Sequence, residues 1–569
     1  MRRRARVRRT RRRALASGLL SVFAVGCSLI VNHADSECAT NADCARFAGT
    51  VCQQGACVTG PTVGHEAGPP TPDSPAGETS TMITSCTVNQ DCAPNGDDWI
   101  CRKSDDTCVL VTSVDCQSIA GPYTNDDTVL IGALVPTLDP YGNLGQPIGN
   151  AIRLAVGDFE KALPPLTDGG ENRSLAVVFC NDTQDVDGAA RHLHDDLGVP
   201  VVLGTAFSQD TVQVATDVTV PDGMLLLSPA AGSDLSSVRS TNLVWRTIAA
   251  DTTQAAAMAA VVNTVLEPQV KAQYSLTSAR VAVMHSTDDY GQELATALES
   301  ALVINGQSAA DAGPSFMDAP YGFADPFDTS DTQYSDAILQ VTGEPPDIIV
   351  VIGYTLAVTK VLEGVESAWT GPHRPQYLLS NGMEGLDLID AVAASGSTTS
   401  PSLRTRILGT APGPGTDAVS AANMSRFVAR YLQTFTDGSL PEAYAAANAY
   451  DALYAIAYGI ARTRNADLIG KDVVTGLTAV LTAPDTGPTT NVSSGPEDVS
   501  AAIQAIEAGD TITLHGASGP LSFDVATGDV TSDIEVWCIT PQPGLEASGM
   551  VYAVASSGLT GAVDPACTQ

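Results

Sequence analysis

Short apolar runs alternate with segments of helical spacing along most of the chain after Asp127. Val129–Val135 is a continuous apolar run, typical of a strand buried on both faces, and Gln146–Lys161 has the spacing of an amphipathic helix. The pattern predicts further strands at Ser174–Cys180, Pro200–Gly204, Met224–Ser228, Arg280–Met284, Asp347–Ile352 and Gln376–Ser380, and helices at Asp185–Leu197, from Ser208, at Asp251–Leu266, Asp289–Val303 and Thr355–Ala368. This alternation predicts an α/β fold of parallel sheets with right-handed crossovers, and its two successive sets predict two similar lobes.

The last third of the chain follows a different pattern. Helical spacing dominates Ala418–Gln504, including an alanine-rich stretch at Tyr444–Ala461. Two polar segments, Ala394–Ser402 and Ala483–Ser500, interrupt the pattern and are predicted to be inserted loops.

The N-terminus has the features of an export signal. A basic segment, Arg2–Arg13, precedes a short apolar run, Ala14–Val25, and small residues then lead to Cys27. This order resembles the lipobox of bacterial lipoproteins, in which the cysteine is lipidated after the signal is cut. We therefore predict a signal peptide at 1–26 and a lipid-anchor tether at 27–37. An ordinary secretory signal with an incidental cysteine is the alternative.

The cysteines indicate two small disulfide-rich modules. Of 13 cysteines, lipidation of Cys27 leaves an even number, and eight form two similar blocks, at 38–58 and 86–116, separated by a Pro/Gly/Ser/Thr linker at 59–85. The blocks are too small for a hydrophobic core, which favours disulfides over the competing zinc site. The block cysteines are Cys38, Cys44, Cys52, Cys57, Cys86, Cys92, Cys101 and Cys108; four more remain, for which the expected pairs are Cys116–Cys180 and Cys538–Cys567.

Charge and motifs exclude several classes of function. The net charge is −35 although nine arginines lie within the first 13 residues, so binding to nucleic acid is not expected. The chain has no phosphate-binding loop, nucleophile elbow or His-Glu-x-x-His sequence. His192 and His194 are two residues apart on a predicted helix and do not share a face, so no metal site is predicted there. Binding is therefore favoured over catalysis.

A series of short segments resembles the type I periplasmic binding proteins, in particular the branched-chain amino-acid and amide receptors of ABC transporters. The resemblance covers about residues 127–540 and is carried, in chain order, by VLIGALVPTLDPY at 129–141, AIRLA at 151–155, VLGTAFS at 202–208, LSPAA at 227–231, VWRT at 244–247, VMHSTDDYG at 283–291, GY at 353–354, GMEG at 382–385, AYDA at 449–452 and GPLSFD at 519–524.

The resemblance implies two Rossmann-like lobes joined by a hinge of three segments. The first lobe would contain 127–247 and 415–512, and the second would contain 250–412 and 516–540, with 541–569 left as a C-terminal tail. A ligand in such a fold lies in the cleft at the carboxyl ends of the strands, and its binding closes the lobes.

The resemblance also implies a set of ligand-binding residues. Ser208 would donate to a ligand carboxylate, and a ligand ammonium would be accepted by the Ala231 carbonyl, by Glu384 and by Ser233, which takes the place of the family's usual threonine. Aromatic walls would come from Tyr141, Tyr290 and Tyr354. The simpler alternatives are a helix-capping serine, a solvated carboxylate and core-filling tyrosines.

The implied function is that of an extracytoplasmic, lipid-anchored solute-binding protein without a cofactor. It would capture an amino acid or a related amide for an ABC permease, at the periplasmic face or the cell surface. Two alternatives stay open: a ligand-sensing receptor lipoprotein without a transport role, and a surface scaffold or adhesion lipoprotein with a degenerate cleft.

Overall fold

In the computed structural model, the described residues are the strand pair at 50–53 and 56–59, followed by 82–161, 166–168, 171–322, 332–396, 400–463, 468–481, 489–542 and 544–568. The chain forms two compact units, Met1–Ser80 and Thr81–Gln569. In the first unit, Thr50–Gln53 and Ala56–Thr59 form an antiparallel hairpin. The predicted signal peptide, Cys27, Cys38 and Cys44 lie outside the described residues.

The first sheet of the large unit is mostly parallel. From one edge its strands are Val244–Arg246, Leu225–Ser228, Val201–Leu203, Thr128–Val135, Glu171–Asn181 and Cys116–Ala120, with Leu166–Asp168 paired off this path to Glu171–Asn181. The first five are mutually parallel, and Cys116–Ala120 is antiparallel to its neighbour. The apolar runs predicted as strands therefore lie where both faces of a sheet are covered.

The second sheet combines a parallel half with an antiparallel half. Its strands, in spatial order, are Phe316–Tyr321, Val281–Ser286, Ile348–Ile352, Gln376–Leu379, Ile407–Pro412, Ile534–Ile539, Leu545–Ala553 and Gly558–Gly561. The first five run parallel, and the last three pair antiparallel. Residues 541–569, expected to be a tail, thus contribute two strands and are held by the disulfide Cys538–Cys567.

Helices cover both sheets. The helices of six or more residues are Gly142–Lys161, Val186–Arg191, Ser208–Val214, Asp251–Val261, Glu267–Tyr274, Asp289–Ala301, Thr332–Gly343, Glu363–Ala368, Leu386–Ser395, Ala418–Thr434, Ala446–Arg462, Gly470–Leu481 and Pro496–Ala508. Short π-helical turns continue four chain segments, at His192–Asp196, Ala215–Thr219, Val262–Leu266 and Val358–Leu362. Part of the predicted loop at Ala483–Ser500 forms the strand Thr489–Ser493, which pairs in parallel with Thr511–His515.

The chain passes between the two sheets three times. It leaves the first sheet after Arg246, leaves the parallel half of the second sheet after Pro412, and enters the second sheet again at Ile534. One continuous core contains residues from both sheets, for example Val177 and Val350. The observed architecture confirms the predicted α/β fold with two parallel sheets, and the elements that cross between them place the carboxyl ends of both strand sets near each other.

The second cysteine block packs directly against the first sheet. Its disulfides are Cys86–Cys101 and Cys92–Cys108, and Cys116 is bonded to Cys180 across adjacent strands. Ile100 and Val111 are buried in the same cluster as Leu197 of the large domain. Arg102 Nη1 donates to the Asp196 carbonyl at 2.8 Å. The sequence predicted a block held by disulfides alone, but its apolar residues Ile100 and Val111 also pack into the core of the first sheet.

Among the helices that the structure describes, none is long and apolar enough to cross a membrane.

Candidate ligand-binding site

Five aromatic rings meet between the two sheets, and we call them the tyrosine cluster. They are Tyr141, Phe207, Tyr290, Tyr354 and Tyr444, each at most 3% exposed. The centroid of the Phe207 ring lies 5.0 Å from that of Tyr141 and 4.9 Å from that of Tyr354. The Tyr354 ring lies 5.0 Å from Tyr290 and 6.1 Å from Tyr444. Aromatic pairs favour these tilted and edge-on arrangements.

The topology explains why these side chains converge. Tyr141 and Phe207 follow strands of the first sheet and directly precede helices. After strands of the second sheet, Tyr354 directly precedes a helix and Tyr290 lies in the first turn of Asp289–Ala301. Because parallel strands end at the same edge of a sheet, residues that follow them collect at one crevice. The structure therefore brings together all three tyrosines that the sequence assigned to the site.

Ser208 begins the helix that follows Phe207. Its side chain is 1% exposed, and its Oγ has no hydrogen-bond partner within the described residues. An unsatisfied buried hydroxyl is costly, because it has lost its bond to water without replacing it. A ligand atom at this position would satisfy it, so the geometry is consistent with the role expected from the sequence.

The two expected acceptors on the first lobe already have protein partners. The Ala231 carbonyl accepts from Arg246 Nη1 at 3.1 Å, and the same nitrogen also donates to the next two carbonyls. Ser233 Oγ donates to Asp251 Oδ2 at 3.2 Å. Arg246 is in turn held by Asp529, through Nε to Oδ1 at 2.5 Å. This edge of the site is thus an organised polar network that presents both carbonyl and carboxylate oxygens.

Buried carboxyl groups surround the tyrosine cluster. Burial raises the pKa of Asp251 to about 7 and also raises that of Asp288, which caps the helix that carries Tyr290. Burial and these acids raise the pKa of Tyr354 well above its ordinary value. The local charge therefore favours a cationic group on a ligand over a second anion.

The backbone around Glu384 lies next to the tyrosine cluster, but its carboxyl group lines a cavity that does not include Ser208. The backbone of Gly382 is close to the Tyr354 ring, and the Glu384 carbonyl accepts from the Tyr444 amide at 3.2 Å. The Glu384 side chain lines a separate cavity, of about 500 Å³, together with Glu442 and Glu535. Neither Ser208 nor the three predicted tyrosines line that cavity.

Tyr444 belongs to the cluster but was not predicted from the sequence. Its hydroxyl donates to the carbonyls of Ala206 at 3.2 Å and Ala230 at 2.9 Å, next to the segments that carry Ser208 and Ala231. The residue precedes the helix Ala446–Arg462 and was interpreted as part of an alanine-rich helix. A tyrosine just outside a strongly apolar helix is the only local signal that could have identified it.

Two groups of potential metal ligands occur in the described part of the chain. Cys86, Cys92 and Cys108 form one, but their sulfurs are in disulfides. His194, Asp195 and Asp222 form the other, at the surface. Neither group lies in the tyrosine cluster, so the chemistry of the cluster depends on hydroxyl, carbonyl and carboxyl groups.

The chain is similar in sequence to several amino-acid-binding proteins. It is 25% identical over 209 residues to the Leu/Ile/Val/Thr-binding protein of Salmonella typhimurium, a match that covers 35% of this chain and 50% of that protein. It is 27% identical over 175 residues to the leucine-, isoleucine-, valine-, threonine- and alanine-binding protein of Pseudomonas aeruginosa, covering 30% and 42%. The chain thus spans about half the length of the curated relatives that it matches.

The fold resembles solved structures of solute-binding proteins. The isoleucine complex of the branched-chain amino acid transporter substrate binding protein LivJ from Streptococcus pneumoniae superimposes with a TM-score of 0.54 at 16% identity, covering 76% of this chain and all of that one. A solute binding protein of an ABC transporter from R. palustris in complex with benzoate gives 0.52 at 15% identity, covering 78% and 99%. These likenesses establish the shared fold.

The model of the receptor family ligand binding region matches residues 149–542, more than half of the chain. This match confirms the resemblance to type I periplasmic binding proteins, and it agrees with the prediction of a binding protein rather than an enzyme, because the family is defined by ligand binding. The chain belongs to the receptor family ligand binding region family and has the type I periplasmic binding fold.

Proposed function

We propose that this protein is an extracytoplasmic, lipid-anchored solute-binding protein that captures a small amine-bearing carboxylate, an amino acid or a related amide, between its two lobes and delivers it to an ABC permease. The single observation that carries the proposal is the convergence of Tyr141, Tyr290 and Tyr354 with the segment Phe207–Ser208 in one buried cluster between the sheets.

The cluster suits a ligand with an apolar body and polar ends. The tyrosine faces provide apolar contact, as an aliphatic or aromatic side chain requires. Ser208 Oγ provides a donor for a carboxylate, and the Ala231 carbonyl keeps one lone pair in addition to the one used by Arg246. Asp251, beside Ser233, supplies the negative charge that an ammonium group needs.

Closure of the lobes follows from the positions of these groups. Ser208 and Tyr141 extend from the first sheet, whereas Tyr290 and Tyr354 extend from the second. All four are buried in the described state, so a ligand enters only when the sheets separate. A ligand that contacts both sets binds the closed state better than the open state and shifts the population towards it.

Two kinds of relatives support the ligand class. The curated relatives are named for leucine, isoleucine, valine and threonine, and solved structures of the same fold hold isoleucine or benzoate. Aliphatic amino acids and aromatic carboxylates share an apolar body and a carboxylate. The acidic surroundings of the cluster favour the amino acids, because they also carry a positive charge.

The lipid anchor and the permease rest on the N-terminal sequence and on the relatives. The order of basic residues, apolar residues and Cys27 supports lipidation, and a tethered binding protein stays near a membrane transporter. Mass spectrometry of the membrane-extracted protein tests the anchor. A mature chain that starts at Cys27 with added acyl mass is expected, and an uncut N-terminus would disprove it.

The binding function is tested by titration calorimetry of the mature protein with leucine, isoleucine, valine and benzoate. We expect at least one amino acid to bind at one site. Ser208→Ala should then weaken binding by about 1.5–3 kcal/mol, since a hydrogen bond to a charged carboxylate is lost.

Ser532→Ala is the matched control. Ser532 is also buried, and its Oγ also has no partner in the described structure, but it lies outside the tyrosine cluster. Its substitution should leave the affinity unchanged. Equal losses in both variants, or no binding of any compound in the panel, would contradict the proposed site.

A further inference from the structure

A cavity separate from the tyrosine cluster lies beside the crossing segments. It has a volume of about 500 Å³, within the range of small-molecule sites. Its walls come from the end of the strand Ile407–Pro412, the helix Ala418–Thr434, the segment 441–448 and the strands Ile534–Ile539 and Leu545–Ala553. The apolar part of the wall includes Pro412, Met424, Val428, Pro441, Trp537 and Leu545.

Among the residues that the structure describes, four carboxyl groups and no Lys, Arg or His side chain line this cavity. The four are Glu384, Glu442, Glu535 and Glu546. Two of them have hydrogen-bond donors: Glu535 Oε1 accepts from the Gly415 amide at 3.2 Å, and Glu546 Oε1 accepts from Thr540 Oγ1 at 3.5 Å. All charged side chains in the described lining are therefore acidic, and no side-chain cation compensates them there.

Glu384 distinguishes this cavity from an ordinary acidic surface. The residue is 8% exposed, and its carboxyl group makes no hydrogen bond or ion pair with any described residue. Only its backbone is bonded, to Asn381 and Tyr444. A buried carboxylate without a partner is strongly unfavourable, so a cation inside the cavity is the group that would stabilise its charged form.

The arrangement of the carboxyl groups favours an organic cation over a metal ion. A calcium or magnesium ion requires several oxygens converging on one point at about 2.0–2.6 Å. Within the described residues, no three of these glutamates bring their oxygens close enough to share an ion. The acids are instead spread around an apolar space, and Trp537 adds an aromatic wall of the kind that attracts organic cations.

We propose that this cavity binds an aliphatic diamine or polyamine. The methylene segments of such a molecule would contact Met424, Val428 and Trp537, while its separated ammonium groups would pair with Glu384 and with the acids across the cavity. Burial and the nearby Glu535 and Glu442 raise the pKa of Glu384 well above its ordinary range, because they destabilise its charged form. A bound cation would stabilise that form. This site is distinct from the tyrosine cluster and does not depend on the function proposed for it.

Calorimetry of the mature full-length chain with spermidine, putrescine and cadaverine tests the proposal. We expect one of these amines to bind with one-to-one stoichiometry at physiological ionic strength. Magnesium chloride and sodium chloride at matched ionic strength should not reproduce the heat. Binding by magnesium as tight as that of the amines, or no binding of any amine, would overturn the proposal.

Variants then locate the site. Glu384→Gln should weaken amine binding by roughly 30-fold or more, since it removes a desolvated charged partner. Glu442→Gln is a second variant of the same cavity and should also weaken it. Glu363→Gln makes the same change of charge on an exposed helical position outside the cavity and should leave the affinity unchanged.

The tyrosine cluster provides the decisive comparison. Ser208→Ala should leave amine binding intact if the amine occupies the acidic cavity. If Ser208→Ala abolishes it, or if Glu384→Gln binds the amine as tightly as the wild type, the proposal is wrong. Leucine binding reports separately on the tyrosine cluster, so failure of one site can be distinguished from failure of the other.

Discussion

The tyrosine cluster and the acidic cavity are neighbours, joined by the hydrogen bond between the backbones of Tyr444 and Glu384. The cluster buries neutral aromatic rings, whereas the cavity buries an acid. In the cluster, aromatic rings touch one another, and the Tyr290 and Tyr444 hydroxyls bond to Asn381 and to backbone carbonyls. In the cavity, Glu384 is buried without a partner. Neutral aromatic burial stabilises a closed protein by itself, whereas a buried acid stabilises closure only when a cation accompanies it.

Another buried acid, Asp158, shows what Glu384 lacks. Asp158 is fully buried, but it forms an ion pair with Arg430 and accepts from the hydroxyls of Tyr450 at 2.7 Å and Tyr454 at 2.9 Å. This network connects the helix Gly142–Lys161 to two other helices and serves the core. A buried carboxylate whose hydrogen bonds and charge are all matched by protein groups thus has a structural role, whereas a buried carboxylate without such partners is a candidate for ligand binding.

The largest expected effect comes from Tyr354→Ala, which removes the ring shared by most contacts of the cluster. Loss of a buried aromatic side chain should lower the free energy of unfolding by about 3–5 kcal/mol, measured by denaturant titration. Tyr354→Phe keeps the ring and should cost much less. If the alanine variant is as stable as the wild type, the cluster does not hold the lobes together.

Asp158→Asn should give the next largest effect. It removes one charge of a buried pair and leaves Arg430 without its counter-ion, so we expect a loss of about 3 kcal/mol in unfolding free energy. The exposed Asp336→Asn substitution serves as the control and should change stability by less than about 0.5 kcal/mol. If Asp158→Asn and Asp336→Asn have the same free energy of unfolding, the ion pair and hydrogen bonds of Asp158 do not stabilise the protein.

Stability should also depend on pH through the acids of the tyrosine cluster. Asp251 titrates near 7 in the folded state, because burial raises its pKa, and near its ordinary 3.8 when unfolded. Between these values the folded state holds the extra proton, so stability falls as the pH rises, by up to about 1.4 kcal/mol per pH unit for one group.

Asp251→Asn should make the fall of stability between pH 4 and 7 less steep than in the wild type, although other buried acids still contribute to it. Chemical denaturation at several pH values measures it, and Asp336→Asn should leave the slope as in the wild type. A slope in the Asp251 variant as steep as in the wild type would assign the dependence to other buried acids, and a wild-type stability that rises over this range would contradict the assignment of Asp251.

The sequence predicted the parts of the fold that depend on local pattern. Continuous apolar runs such as Ile348–Ile352 are buried along their whole length, and the tyrosines that follow the strands meet because topology places them together. Phe316–Tyr321 was missed, since it mixes exposed and buried positions and contains Asp318 and Pro320. Leu545–Ala553 was missed for a similar reason, because half-exposed antiparallel strands lack a continuous apolar run.

The acidic cavity lay beyond the reach of sequence analysis. Glu384, Glu442, Glu535 and Glu546 come from separate segments; the sequence singled out only Glu384, through its GMEG segment, and in a chain with 64 acidic residues nothing linked it to the other three. The same applies to the second cysteine block, whose contacts through Ile100 and Val111 depend on distant residues. Contacts between distant parts of the chain determine that Glu384 is buried and that the second cysteine block packs against the first sheet. A local sequence pattern does not contain this information.

The smallest expected effect concerns the ligand-free stability of Glu384→Gln. Burial and the nearby Glu535 and Glu442 raise the pKa of the Glu384 carboxyl, so its contribution to folded stability falls as the pH rises above the ordinary range of a glutamate, and glutamine has no such dependence. The variant should therefore be more stable than the wild type by about 1 kcal/mol at pH 7, and the difference should shrink as the pH falls towards 4. In the presence of spermidine the order should reverse, since only the wild type gains a charged partner. Thermal unfolding of both proteins, with and without the amine, measures all four cases. A variant less stable than the wild type at pH 7 without ligand would mean that Glu384 has a favourable partner in the folded protein, and the contrast between the two sites would then fail.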